Sequence, residues 1–188
     1  MGIQIEDGTG SGKTAKVNYE NRLLTYSIIE SEPQHANEEE GRVFRALAFI
    51  TPSIVNPSIE TETSFFYMKN TSTDRLRIYK IKLWAENNEI IDIYVNKSGS
   101  PVGGTEIVPV NANFGSGIQA EGTFLKGNDI TGLSGGTLIG RIRVPADHNT
   151  HDIDFESTLI LPKNNNLVLS TPLGGSDIEI ITAFYYHN

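Results

Sequence analysis

Residues 8–14 read Gly-Thr-Gly-Ser-Gly-Lys-Thr and come close to the pattern of a phosphate-binding loop. That pattern needs a glycine five places before Gly12, but Asp7 stands there, and its negative charge would repel a phosphate. The motif also needs a helix after the lysine, whereas residues 15–19 alternate like a strand. We therefore predict no nucleotide binding at this stretch.

A second stretch, Gly132-Leu133-Ser134-Gly135-Gly136, matches the G-x-S-x-G pattern of a serine hydrolase. In those enzymes the serine lies between a core strand and a helix. Here the following residues again have a strand pattern, so a glycine-rich loop explains the match better. The sequence offers no combination of nucleophile, base and orienting group and no convincing pair of carboxylates. We predict that the chain is not an enzyme.

The densest group of possible metal ligands lies in residues 147–154, where His148, His151 and Asp152 are the candidates. Imidazole and carboxylate groups bind divalent cations. In an extended chain, however, side chains three residues apart point to opposite sides. We interpret the segment as a solvated loop between two strands, and we predict no metal and no cofactor.

The elements that carry these stretches are predicted to be strands. The chain has 22 Ile and 16 Thr but only 9 Ala, a bias toward strands over helices, and its 16 Asn, 18 Gly and 8 Pro suit turns. At 188 residues it can bury a substantial core. There is no cysteine, which excludes disulfides and thiolate metal sites.

The net charge of −8 argues against binding to nucleic acid or to an anionic membrane surface. The N-terminus has no basic region followed by a long apolar stretch, so no secretory signal is expected. Residues 1–41 hold eight acidic and three basic groups, a net −5, and residues 42–188 are nearly balanced. We predict an extended N-terminal arm over residues 1–41, the alternative being a flexible terminus, and a β-domain over residues 42–188.

About ten short alternating strands, separated by turns, predict an all-β fold: an antiparallel β-sandwich or jelly roll. In residues 75–86 the inward face changes parity near Tyr79 and Lys80, which predicts a β-bulge. Residues 89–95 follow a short Asn87-Asn88 turn and are predicted to pair with 75–86 as a hairpin. Pro109 predicts an edge strand in residues 105–110.

The last strand, residues 177–187, is apolar on both faces. It is therefore expected to be central in a sheet or to lie in an interface. The lone Trp84 ends an alternating strand and is predicted to belong to a core or an interface rather than to a sugar platform. The loop 111–117, which holds Phe114, is the fairest candidate for a sugar site.

The order of several motifs resembles tailed-bacteriophage virion proteins. These motifs include the glycine-rich start with Asn21-Arg22-Leu23, the strand Phe66-Tyr67-Met68-Lys69-Asn70, and Pro101-Val102-Gly103-Gly104-Thr105 followed by Pro109-Val110-Asn111-Ala112-Asn113. The end of the chain, Leu159-Ile160-Leu161-Pro162 before Leu167-Val168-Leu169, is similar to the end of a jelly roll of the tumour-necrosis-factor type. The resemblance spans nearly the whole chain.

The resemblance implies a non-enzymatic virion structural protein: a head decoration (cement) protein that binds and stabilises the phage head as a trimer. The implied partners are further copies of the chain and the major capsid protein or another virion protein. The implied location is the virion, assembled in the host cytoplasm. The alternative is a carbohydrate-binding or receptor-binding module of a phage fibre or tail.

Two sets of residues are expected to make these contacts. The trimer interface candidates are the aromatic residues of two apolar strands, namely Phe65, Tyr67, Tyr185 and Tyr186. The candidates for docking of the arm on a neighbour are the apolar residues of its one strand-like run, namely Leu23, Leu24, Tyr26 and Ile28. An acidic arm can add a strand to a partner's sheet edge through main-chain bonds, and its expected partner is a more basic protein surface.

Overall fold

A computed structural model describes residues 16–17, 23–24, 32–38, 40–55, 62–147 and 149–187. The chain divides into two compact units, Met1–Ser31 and Glu32–Asn188. In the first unit, strand β1 (Lys16–Val17) pairs antiparallel with strand β2 (Leu23–Leu24).

The second unit is all-β apart from one short helix, α1 (Glu32–Glu38). Its strands, in chain order, are β3 (Val43–Ile50), β4 (Thr63–Asn70), β5 (Arg75–Ala85), β6 (Glu89–Val95), β7 (Ser98–Val102), β8 (Thr105–Glu106), β9 (Val110–Asn111), β10 (Gly122–Lys126), β11 (Thr131–Ser134), β12 (Thr137–Val144), β13 (His151–Leu161), β14 (Asn166–Thr171) and β15 (Ile178–His187). The predicted fold class, an antiparallel β-sandwich, is confirmed.

Two sheets form the sandwich, and every strand pair in them is antiparallel. The six-stranded sheet has the order β12-β6-β14-β4-β10-β8, and the five-stranded sheet has the order β13-β5-β15-β3-β9. A separate pair, β11 and β7, makes a two-stranded sheet. The predicted edge strand over residues 105–110 is divided: β8 and β9 are edge strands of different sheets, and Pro109 lies between them.

The core lies between the two sheets, and strand periodicity explains its composition. Along β3, alternate residues from Phe44 to Ile50 point inward and are buried. Strand β15 lies between β5 and β3, which confirms the prediction that it is central. Its Phe184 stacks on Phe44 with ring centroids 5.6 Å apart and on Phe124 at 5.2 Å.

The predicted β-bulge in β5 is confirmed. Ala183 of β15 is opposite Lys80, but the next residue, Phe184, is opposite Ile78, so Tyr79 is the extra residue. The pairing of β5 with β13 shifts at the same place. Because of this bulge, Ile78 and Ile81 both face the core although their positions differ in parity.

The predicted hairpin of residues 75–86 with 89–95 is wrong. Strand β5 belongs to the five-stranded sheet and β6 to the six-stranded sheet, so residues 86–88 cross from one layer of the sandwich to the other. Both strands bury their apolar faces in the same core, from opposite sides. Alternation and a short turn do not distinguish a hairpin from such an arch.

Each sheet also has an outer face, and these faces are covered to different extents. On the six-stranded sheet, Tyr67 and Val168 pack under Ile130 and the partly buried Leu133. We call the segment that holds these two residues, 129–135, the β11 region. On the five-stranded sheet, Ala36 of α1 packs against Val43 and Tyr185. Helix α1 ends before Gly41, whose φ of 61° reverses the chain.

Candidate functional site

The four residues predicted to form a trimer interface are buried within a single chain. Phe65, Tyr67, Tyr185 and Tyr186 are each at most 2% exposed. Phe65 belongs to the central core, Tyr67 lies under the β11 region, and Tyr185 lies under α1. These side chains therefore have no surface to offer a second copy, and any interface must use other residues.

Two of these buried tyrosines, Tyr67 and Tyr186, carry hydroxyl groups that stay neutral inside the domain. The Tyr186 hydroxyl donates to the Glu121 carbonyl at 2.8 Å. Burial raises the pKa of Tyr186 far above its ordinary value, and burial also raises the pKa of Tyr67. Both side chains therefore remain neutral, as the core requires.

The arm candidates are only partly described. Leu23 and Leu24 form strand β2, whereas Tyr26 and Ile28 lie outside the described residues. The phosphate-loop motif of residues 8–14 also lies outside them. Docking of the arm on a neighbour stays a prediction.

The metal candidates are drawn into ordinary surface contacts. His151 Nε2 lies 3.4 Å from Asp147 Oδ1, and Asp152 faces Lys82 and Lys80 at 3.3 and 3.4 Å. Desolvation would raise the pKa of Asp152, but bonds from the two lysines outweigh it and lower that pKa. His148 lies outside the described residues, and among those described no three His, Asp or Glu side chains group as a metal site.

The G-x-S-x-G motif does not form a nucleophile elbow. Ser134 is the last residue of β11 and is opposite Ser98 of β7. Gly135 and Gly136, with φ of 61° and 92°, then turn the chain directly into β12. An elbow requires a helix at this point, so the glycine-rich loop interpretation fits the local structure.

A buried polar cluster that the sequence analysis missed lies on the outer face of the six-stranded sheet. The Lys97 ammonium forms an ion pair with Glu62, lies 3.5 Å from Ser170 Oγ and lies 4.3 Å from the Tyr94 ring centroid. Ser170 Oγ is in turn 2.9 Å from Ser64 Oγ. A cavity of about 310 Å³ adjoins this cluster, between the sheet and residues 129–135.

A serine beside a lysine can form a nucleophile and its base, but this geometry opposes that role. A general base must be a neutral amine, whereas the Glu62 carboxylate and the Tyr94 ring both stabilise an ammonium. Burial, followed by Glu62, raises the pKa of Tyr94 to about 12, so the phenol also keeps its proton. Within the cluster, the charges of Lys97 and Glu62 compensate each other.

A second ion pair fastens the edge strand β12 to the sheet. Arg141 donates to both oxygens of the buried Asp92, with Nε–Oδ1 at 2.6 Å and Nη2–Oδ2 at 2.7 Å. The hydrogen bond to Asp92 raises the pKa of Arg141. This bidentate geometry positions β12 against β6.

One exposed apolar surface lies on the five-stranded sheet beyond the part that α1 covers. We call it the open face: Leu47, Phe49, Trp84 and Ile181. Leu47 is 52% exposed and Phe49 is 54% exposed, and Trp84 and Ile181 are half-buried. In register, Leu47 is opposite Ile181, and Phe49 and Trp84 flank Glu179.

A second exposed apolar surface surrounds a cleft of about 390 Å³ beside the edge strands β8 and β9. We call it the rim cleft: Glu106, Val108, Val110, Phe114 and Ile118. Phe114 is 89% exposed and Val108 is 79% exposed. The rim cleft and the open face are the candidate interaction surfaces of the described residues.

Comparison with protein-family models, with curated proteins and with solved structures finds no match to this chain. The resemblance to phage virion proteins therefore depends on the sequence motifs alone and stays a prediction. Among the described residues, no helix is long and apolar enough to cross a bilayer.

Proposed function

We propose that this chain is a non-enzymatic structural protein that associates with itself through the open face as a trimer. Following the sequence resemblance, we further propose that the trimer is a phage head decoration protein. The observation that carries the proposal is the unequal covering of the two sheets. Large apolar side chains remain exposed on the five-stranded sheet, whereas on the six-stranded sheet Tyr67 and Val168 are covered.

The open face has the composition of a protein interface. Two aromatic residues, Phe49 and Trp84, flank Glu179 on this face, and aromatic residues are enriched where proteins meet. Burying one large apolar side chain contributes about 1.5–3 kcal/mol. Leu47 and Phe49, each half exposed, thus leave substantial binding energy unused in a monomer.

The margin of the open face suits another copy of the same chain. Lys80 and Lys82 already form ion pairs with Asp152, and Lys80 also lies 3.9 Å from Asp154. This mixed and nearly neutral border does not repel an identical acidic chain. A cyclic trimer pairs such a face with a different surface of the neighbour, because three-fold contacts are heterologous.

The polar groups support a structural role over catalysis. The amine and hydroxyl pair Lys97 and Ser170 is engaged by Glu62 and by the Tyr94 ring. The Asp92 carboxylate forms a bidentate ion pair with Arg141. These two arrangements stabilise the strands that carry them.

Static light scattering tests the proposal. At micromolar concentration the wild-type chain is expected to have three times the mass of one chain. Phe49→Glu places a charge in the open face and is expected to yield monomers that remain folded, since Phe49 points away from the core. Ile54→Glu is the matched control, because Ile54 is 75% exposed and lies outside the open face. A wild-type monomer, or a Phe49→Glu trimer, would contradict the proposal.

A further inference from the structure

The rim cleft is built on a loop that is held in place before any partner binds. Asn111 Nδ2 lies within 2.9 Å of three acceptors: the Gly41 carbonyl, Ser116 Oγ and the Ile118 carbonyl. Asn113 Nδ2 donates to the Asn37 carbonyl at 3.0 Å. A loop fixed by its own side chains loses little conformational entropy on binding. Phe114 is thus displayed by a preorganised loop.

The same loop packs closely against Gly41, three residues after the end of helix α1. A Cβ placed on Gly41 would lie 2.5 Å from Ser116 Cβ, and Gly41 has a φ of 61°. Only glycine allows both the close approach and the backbone conformation. The position of the Phe114 loop is therefore set by the body of the domain.

The floor of the rim cleft reaches the aromatic core. Phe124 and Ala120 line the cleft, and the Phe124 ring stacks on Phe184 with centroids 5.2 Å apart. Phe124 is buried and cannot move away without disturbing this stack. An entering side chain would consequently meet a firm apolar floor, the usual setting for an anchor residue.

The cleft combines apolar side chains with a few polar groups. The Asn111 and Asn113 side-chain amides are committed to the loop itself, whereas the exposed Gln119 amide and several aliphatic side chains also line the cleft. Of the described residues that line the cleft, Glu106 alone carries a charge, and its carboxylate has no side-chain partner among them. The cleft therefore presents an aliphatic and aromatic lining with one uncompensated negative charge.

The backbone beside the cleft is an open sheet edge. Strand β8 is the last strand of the six-stranded sheet and β9 the last of the five-stranded sheet. Neither strand has a partner on its outer side among the described residues. Such edges accept an added strand from another chain through main-chain hydrogen bonds.

We propose that the rim cleft binds an extended segment of another protein, which inserts an apolar side chain beside Phe114 and places a lysine or arginine near Glu106. The commitment to a protein segment follows from the open edge and the aliphatic lining. The commitment to a basic residue follows from the charge of Glu106. The inference extends the proposed structural role, because it names the chemistry of a second subunit in the assembly.

Selection from a library of random 12-residue peptides tests this inference on the full chain. Wild-type protein is expected to enrich peptides with an apolar residue within two positions of Lys or Arg. For the best enriched peptide, Phe114→Ser is expected to weaken binding at least tenfold and Glu106→Gln about threefold. Both side chains are exposed, so both variants are expected to fold. Ile54→Ser is the matched control and should bind like the wild type.

A second measurement probes the proposed edge pairing. N-methylation of alternate peptide amides is expected to abolish binding for the set that faces the protein edge and to spare the other set. Equal enrichment by wild type and Phe114→Ser would overturn the inference. So would binding on a glycan array that disappears in Phe114→Ser, since that identifies the cleft as a sugar site. Light scattering of the same samples reports the trimer separately, so failure of either proposal can be recognised.

Discussion

The outer faces of the two sheets use similar residues in opposite ways. On the six-stranded sheet, the β11 region covers Tyr67 and Val168, and the polar groups beside them satisfy one another. On the five-stranded sheet, α1 covers Val43 and Tyr185, but Leu47 and Phe49 stay exposed. The sequence of an aromatic strand therefore does not show by itself whether its outer face is covered or exposed. The element that packs on that face decides it.

The largest expected effect concerns the covered face and its buried ion pair. Lys97→Met leaves the Glu62 carboxylate without its partner and is expected to lower the free energy of unfolding by about 3–5 kcal/mol. The double variant Lys97→Met/Glu62→Leu removes both charges and is expected to recover most of that loss. Urea denaturation measures both values. A double variant as unstable as the single one would show that the cluster stabilises through something other than charge pairing.

Truncating one aliphatic side chain on each outer face compares how much burial on the two sheets contributes to stability. Ile130→Ala removes a side chain buried over the six-stranded sheet and is expected to cost about 2–5 kcal/mol of unfolding free energy. Leu47→Ala removes a half-exposed side chain of the open face and is expected to cost about 1 kcal/mol or less in the monomer. Chemical denaturation at a concentration where the chain is monomeric gives both numbers. Equal losses of unfolding free energy would mean that Leu47 is as well buried in the monomer as Ile130, and that the open face is covered.

Much of the fold follows from local patterns, and most of the site does not. The bulge at Tyr79, the central position of β15 and the edge position of residues near Pro109 all leave a periodic or conformational signal in a short stretch of sequence. Glu62, Lys97 and Ser170 leave none, because 35 and 73 residues separate the members of each pair. The prediction that Phe65 and Tyr67 lie in an interface has the same origin: a strand that is apolar on both faces has one pattern whether its outer side chains meet a partner or, as with Tyr67, a covering strand pair of the same chain. The hairpin of residues 75–86 with 89–95 failed for a similar reason, since only the sheet order distinguishes it from an arch.

A smaller effect is expected at alkaline pH, where deprotonation of Tyr94 should lower the free energy of unfolding. Since the pKa of Tyr94 is raised from its ordinary 10.0 to about 12, the native state holds this proton more tightly than the unfolded chain. Stability should therefore fall as the pH rises from about 10 to about 12. Tyr94→Phe removes this contribution, and its unfolding free energy should fall less between pH 9 and pH 11. Identical pH profiles for the two proteins would rule out a protected Tyr94.

The most direct test of the open face as the self-association surface is the fluorescence of Trp84. It is the one tryptophan of the chain, and it lies half-buried in the open face, across Glu179 from Phe49. As the wild-type trimer is diluted and dissociates, we predict a red shift of its emission and easier quenching by acrylamide, with Phe49→Glu showing the monomer spectrum at every concentration. If light scattering records dissociation while the Trp84 emission and quenching stay constant, the trimer forms through another surface, which contradicts self-association through the open face.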